Sequence, residues 1–192
     1  MRRQMSWKQY RTMDLCFFTA LLCVGEVLCC LAARIWFPGE PYALSLTPAV
    51  TAIVLVRWGL WAAVPAVAGA AAFCFASGAS AVQYLIYGAG NLAALSMMVF
   101  VAKGQWQRLR QSVLRAMCYG LLTALCMQLG RAAIALCMGS TPAVCAGFIT
   151  TDILSTLFAV LIVWIARRLD GMLEDQKHYL VRVQKEEQDK GA

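Results

Sequence analysis

The sequence predicts an all-α polytopic membrane protein, a bundle of six transmembrane helices followed by a short cytoplasmic amphipathic helix. Three observations carry that reading. The 192 residues are 61% hydrophobic and only 14% charged, with mean hydropathy +0.65, against roughly 45–50% and 25% in a soluble domain. A chain of this size leaves much of its surface in water, so a soluble core cannot hide that excess. Apolar runs approaching the ~20 residues a spanning helix needs recur along the chain, and basic residues gather in alternate breaks between them. These features exclude a soluble enzyme, a disordered tail protein and a nucleic-acid-binding protein. They leave no room for a separate extramembrane domain: residues 1–168 read as the membrane domain and 169–192 as a helical tail.

The first run covers Met13–Phe37 and ends at Pro38-Gly39-Glu40-Pro41. It is too long and too charged for a signal peptide, and no small-residue cleavage site follows it. The second, Ser45–Val56, and the third, Leu60–Ser77, are separated only by Arg57-Trp58-Gly59. The third carries nine Ala or Gly residues between Ala62 and Ala76, which lets backbones approach closely and marks a packing helix. Ala81–Ala102, Val113–Met138 and Phe148–Ala166 complete the set. From Arg167 onward six basic and six acidic residues cancel, so the net charge of +7 belongs to the membrane part. Leu169, Met172, Leu173, Leu180 and Val183 among those charges read as an amphipathic helix continuing from the sixth run. It would lie on the membrane or pack against a partner.

Charge sets the orientation. Arg2, Arg3, Lys8 and Arg11, then Arg57, then Lys103, Arg108, Arg110 and Arg115 fall on one side of a six-span topology, with Arg34 and Arg131 alone on the other. Both termini are therefore expected in the cytoplasm. Trp58, Trp61, Trp106 and Trp164 fall near the inner interface and Trp36 near the outer one, as an aromatic belt would place them.

Ionisable groups inside a span are costly and mark a partner or a cavity. Placed by depth, Tyr84, Tyr87 and Asn91 share one face of the fourth run. Gln128 and Arg131 lie in the outer half of the fifth, and Thr150, Thr151, Asp152, Ser155 and Thr156 in the outer half of the sixth. One reading is an Arg131–Asp152 ion pair stapling two helices, with the hydroxyls bonded to their own carbonyls. The other is a ligand cavity open to the outside, of the mostly apolar kind with a few placed polar groups. The loop Phe37–Ser45, with Glu40 and Tyr42, could form its lid. Glu26, in the middle of the first run, faces either the bundle interior or a partner.

Catalysis and metal binding find no support. The only histidine is His178, in the tail, so no Ser-His or Cys-His pair forms in the membrane. None of the nine cysteines makes a C-x-x-C pair, and they read as small hydrophobes, with a Cys137–Cys145 bridge conceivable. No metal spacing or phosphate loop occurs, and no cofactor is expected.

The chain resembles the substrate-binding (S) component of energy-coupling factor (ECF) transporters, small six-helix bacterial membrane proteins. The resemblance rests on the basic N-terminus, the long first helix, the Pro- and Gly-containing outer loop, Arg57-Trp58-Gly59, the Asn91-bearing fourth helix and the polar outer half of helices four to six. The run from Thr150-Thr151-Asp152-Ile153-Leu154 to Glu174-Asp175-Gln176-Lys177-His178-Tyr179-Leu180 is similar to the ends of members. It implies residence in the bacterial cytoplasmic membrane and capture of a vitamin or related micronutrient from outside. Delivery would need a transmembrane coupling subunit and two ATPases, without ATP hydrolysis by this chain. Tyr84 and Tyr87 would stack on a flat ring, Arg131 would attract a carboxylate or phosphate, and Asp152 an N–H or amine. Asn91, Gln128, Thr151 and Ser155 would complete the site. The family's Ala-x-x-x-Ala docking pair on helix one has Cys16-x-x-x-Ala20 as its counterpart, and the glycine-rich signature of the biotin members is absent. Two further classes fit the format: a membrane scaffold resembling the small rod-shape-determining protein of cell-wall synthesis, and a sensory membrane module.

Overall fold

A computed structural model describes residues 6–38, 44–102 and 105–182, and no strand occurs among them. Helix α1 (Trp7–Trp36) is ~45 Å long at 1.5 Å per residue. It begins six residues before the predicted boundary because Ser6 and Gln9 form a capping box. The Ser6 backbone N–H donates to Gln9 Oε1 (3.0 Å), and the Gln9 N–H to Ser6 Oγ (3.4 Å), which satisfies two donors at the helix start. Leu15, Phe18, Leu22, Glu26 and Cys30 form its buried stripe, while Phe17, Leu21, Val24 and Leu28 are exposed. That is the pattern of a helix with one face on a bundle and one on lipid.

Helix α2 (Thr47–Trp58) is the opposite case, with every residue but Val50 buried. At ~18 Å it is shorter than a ~30 Å hydrocarbon core. It stops at Gly59, whose φ of 60° a side chain would strain. A 3-10 turn, Gly59–Ala62, then feeds α3 (Ala63–Ser77). The two helices fold back along each other: a Cβ on Gly69 would strike Thr47 Oγ1 and stand 2.8 Å from Leu22 Cδ2. The small residues of α3 thus let it wedge against both α1 and α2, as expected of a packing helix.

Helix α4 (Ala81–Asn91) tightens after Asn91 into a 3-10 stretch, Leu92–Met97, and ends in a single turn, α5 (Met98–Val101). A short α6 (Trp106–Gln111) leads into α7 (Val113–Cys137). The last apolar run begins at Pro142, not Phe148, because Pro142 opens a helix as a first-turn residue. It is also interrupted, with α8 (Pro142–Thr150) and α9 (Ile153–Ala166) meeting at Thr151-Asp152.

Five stretches are long and apolar enough to cross a membrane: Trp7–Trp36, Thr47–Ser77, Ala81–Val101, Val113–Cys137 and Pro142–Ala166. The second of these is the α2–α3 hairpin, which the sequence reading divides into two spans. The chain is therefore a helical bundle of membrane type.

Two expectations need correction at the end of the bundle that carries Trp7, Arg57 and Arg110, called here the basic end. The tail does not continue α9. The helix stops at Ala166, the chain turns through Gly171 (φ 69°), and a helical stretch resumes only at residues 176–182. Burial of Leu173, Glu174 and Gln176 pulls the segment under the bundle. There Tyr10 Oη donates to Gln176 Oε1 (3.2 Å), and Gln176 Nε2 donates to the Gly171 and Glu174 carbonyls. The aromatic belt is also thinner than predicted. Trp58 is buried against Trp7 and Tyr10 and bonded to Asp14, and Trp106 is buried and packed on His178. Trp36 and Trp61 remain exposed. All nine cysteines are free, so Cys137 and Cys145 are not bridged.

Candidate functional site

Two glycines bring the polar residues together. A Cβ on Gly130 would strike the Gly90 carbonyl oxygen, and one on Gly90 would lie 2.6 Å from the Arg131 backbone nitrogen. Helices α4 and α7 therefore cross in backbone contact, which only small residues allow, and each glycine directly precedes a polar residue. The crossing sets Asn91 against Arg131. Arg131 Nε donates to Asn91 Oδ1 (2.8 Å), while Asn91 Nδ2 donates to the Ala66 carbonyl on α3 (3.1 Å).

Arg131 is 3% exposed and Asp152 4% exposed. Arg131 Nη1 donates to Asp152 Oδ2 at 2.7 Å, and its guanidinium carbon stands 4.7 Å from the centre of the Tyr87 ring. One cation thus has a carboxylate, an amide and a π-face as neighbours. Gln128 Nε2 supports Asp152 from below, donating to its backbone carbonyl (3.3 Å) and to Thr156 Oγ1 (2.8 Å). Asp152 Oδ1 is buried and has no hydrogen-bond partner.

Above this pair lies a cavity of about 10 Å³ lined by Ser45, Thr47, Ala70, Phe73, Tyr87, Asn91, Arg131, Phe148, Thr151 and Asp152, room for about one water. Phe73, Tyr87 and Phe148 form a continuous aromatic wall, with ring centres 5.2 and 5.8 Å apart. On its far side Ser45 and Thr47 connect to Glu26, which is fully buried. Glu26 Oε1 accepts from Ser45 Oγ (2.7 Å), Thr47 Oγ1 (2.7 Å) and the Thr47 N–H (2.8 Å). The carboxyl group faces the bundle interior and caps α2 from a neighbouring helix, where the helix dipole favours a negative group. Glu26 Oε2 is buried without a partner. Ser155 Oγ accepts from the Ser45 N–H (2.8 Å).

Of the ten residues assigned to ligand binding, Tyr87, Asn91, Arg131, Thr151 and Asp152 line the cavity, while Gln128 and Ser155 stand just behind it. Tyr84 does not belong to it. It lies in the first turn of α4, where residues 81–85 are all exposed and packing begins only at Ile86. Glu40 and Tyr42 lie outside the described residues. Thr150, Thr151 and Thr156 each bond a carbonyl three or four residues back, so the reading of self-satisfied hydroxyls holds for these three.

The sequence reading missed Ser45, Thr47, Phe73, Phe148, Gly90 and Gly130. The available signal was a glycine immediately before a polar residue in two different apolar runs, Gly90-Asn91 and Gly130-Arg131. Cys16 and Ala20, assigned to docking, are exposed and line an open groove with Arg11, Leu15, Trp61 and Val64. Among the described residues no cluster of metal-ligating side chains occurs. In comparisons with protein-family models, curated proteins and solved structures, the chain matches none.

Proposed function

We propose that the chain is the membrane-embedded substrate-capture subunit of an ECF-type importer, not an enzyme. It would bind a vitamin or similar small micronutrient from outside the cell and deliver it with a coupling subunit and two ATPases. The observation that carries this reading is the unpartnered Asp152 Oδ1, buried beside Arg131 and lining a polar cavity with an aromatic wall. A purely structural ion pair has no need of a cavity.

Broken helices support the same reading. Asn91 ends α4 at the change to 3-10 geometry, and Asp152 sits between α8 and α9. Irregular backbone at membrane depth survives where it is buried in protein or lines a cavity, and discontinuous helices build the binding sites of many transporters. In this reading α2 and α3 count as two of six passes, the basic end is cytoplasmic and so are both termini. The membrane is the bacterial inner membrane, and the groove at Cys16 and Ala20 meets the coupling subunit.

The test is affinity purification from the native membrane, with mass spectrometry of bound small molecules and of co-purifying proteins. A bound micronutrient together with a coupling subunit and two ATPases is expected. Absence of both would overturn the assignment. A scaffold role is favoured by one observation, the single-water size of the cavity. It predicts that neutralising Arg131 and Asp152 together leaves function intact, whereas an importer loses uptake.

A further inference from the structure

From the capture reading, on which this step rests, we infer that the ligand is an organic cation: a flat ring bearing a positively charged N–H donor group. The sequence alone directs attention to Arg131 and hence to anionic ligands. The structure shifts that emphasis, because the charge of the arginine is already paired with a carboxylate. Its Nε is held by Asn91, its Nη1 by Asp152, and its face by Tyr87. An incoming carboxylate would have to compete with a carboxylate bonded at 2.7 Å and would set two anions side by side in a medium of low dielectric.

The fully buried side-chain atoms left without a partner around Arg131 are acceptors. Asp152 lines the cavity beside Arg131 and Glu26 stands behind it through Ser45 and Thr47, so two buried carboxyl groups stand against one guanidinium. Each carboxyl group has one oxygen bonded and one buried without a partner, Asp152 Oδ1 and Glu26 Oε2. Leaving a buried acceptor unmade is costly, and a ligand that brings donors removes that cost. A donor that is also cationic makes the charge-assisted bond, roughly twice as strong as a neutral one.

The remaining wall fits the same class. Phe73 and Phe148 offer π-surface, which attracts a cation and stacks on a ring, on either side of Tyr87, whose ring already faces the Arg131 guanidinium. Ser45 and Thr47 direct their hydroxyl hydrogens to Glu26, and Ser45 Oγ also accepts from the Thr47 N–H (3.2 Å), so neither hydroxyl hydrogen is left for an anion. A cavity of about 10 Å³ is far below the ~150 Å³ that admits benzene. Entry of a ring therefore requires the three aromatic side chains to part. Phe148 belongs to the short α8, most of whose residues are exposed.

Three probes of one shape and different charge test the inference: benzamidinium, benzamide and benzoate, titrated into the full chain in nanodiscs with empty nanodiscs as reference. Binding is read by saturation-transfer NMR. Benzamidinium is expected to bind at least about tenfold more tightly than benzamide, and benzoate more weakly than either. Asp152→Asn should reduce benzamidinium affinity by about tenfold and benzamide affinity by a smaller factor. Glu26→Gln, which keeps Arg131 paired and the Oε1 contacts in place, should reduce it by a smaller factor and serves if Asp152→Asn does not fold. Tightest binding of benzoate, or indifference to charge, overturns the cation class and leaves the capture reading standing. Binding of none of the three above the empty-nanodisc reference overturns both.

Discussion

Among the described residues, two arginine–aspartate pairs sit within the bundle, Arg131–Asp152 buried and Arg57–Asp14 largely so, and they differ in completeness. At the basic end Arg57 grips Asp14 with two bonds, Nε to Oδ2 at 3.0 Å and Nη2 to Oδ1 at 2.8 Å. Its Nη1 donates to the Gly171 carbonyl (2.6 Å), and Trp58 Nε1 donates to Asp14 Oδ2 as well. Both carboxylate oxygens are bonded, and the guanidinium carbon stands 5.2 Å from the Phe18 ring. The far pair, Arg131–Asp152, has one bond, one empty oxygen and a cavity beside it. Identical residue types thus serve as a fastening in one place and as a candidate binding site in the other. The distinction lies in whether the hydrogen-bonding capacity is filled. The first pair joins α1, α2 and the returning tail, and its saturation leaves nothing for a ligand.

The contrast is tested most directly at Arg57. Arg57→Ala leaves Asp14 with Trp58 as its one remaining side-chain donor and removes a tie to the tail, and should cost about 3 kcal/mol, the lower end of the range when one partner of a buried pair is removed. Asp152→Asn retains an acceptor for Arg131 and should cost about 1–3 kcal/mol. Unfolding titrations of both variants in the same detergent check this, and equal losses would erase the difference drawn between the two pairs.

A second test separates positioning from chemistry. Gly130→Ala pushes α7 off α4 and should destabilise by about 1–3 kcal/mol, the range for overpacking, while moving Asn91 off Arg131. Benzamidinium binding should fall with it, whereas Gly147→Ala, at a helical site with nothing within 4 Å of an added Cβ, should leave binding unchanged. Equal binding by Gly130→Ala and the unmodified chain would show that the α4–α7 crossing does not set the site.

The smallest effect is expected at the surface of the basic end. There Asp170 receives hydrogen bonds from Arg110 (2.6 Å) and Arg182 (3.2 Å). Slight desolvation raises its pKa, but those bonds and the two arginine charges outweigh it and hold the carboxyl below its ordinary value. A lowered folded-state pKa means that the stabilisation is complete above the unfolded value of about 3.9 and is lost as pH falls through the folded one. Asp170→Asn should therefore differ from the unmodified chain at neutral pH by no more than an exposed pair contributes, about 0–1 kcal/mol. The difference should vanish at strongly acid pH. A difference that grows on acidification would contradict it.

Composition and periodicity were enough to read the membrane class, the apolar runs and the grouping of Asn91, Gln128, Arg131 and Asp152. Those are local properties, set by what each stretch of side chains does against lipid or water. Whether Tyr84 or Tyr87 enters the site could not be read that way. Both occupy the same helix face, and only the height at which α7 and α8 pack separates them. Periodicity likewise continued the last helix into the tail, because a pattern of apolar residues does not record that Gly171 turns left-handed and lets Leu173 bury itself in the core. The role of Glu26 was equally out of reach. Its partners Ser45 and Thr47 lie about twenty residues away, at the start of the hairpin that Gly59 folds back. Side-chain chemistry along the chain was sufficient to name lipid as the solvent and to single out the few polar residues that had to be sheltered from it. Which arginine is saturated and which leaves an empty acceptor beside it emerged only from the packed bundle, because hydrogen-bond completeness depends on several helices meeting at one point.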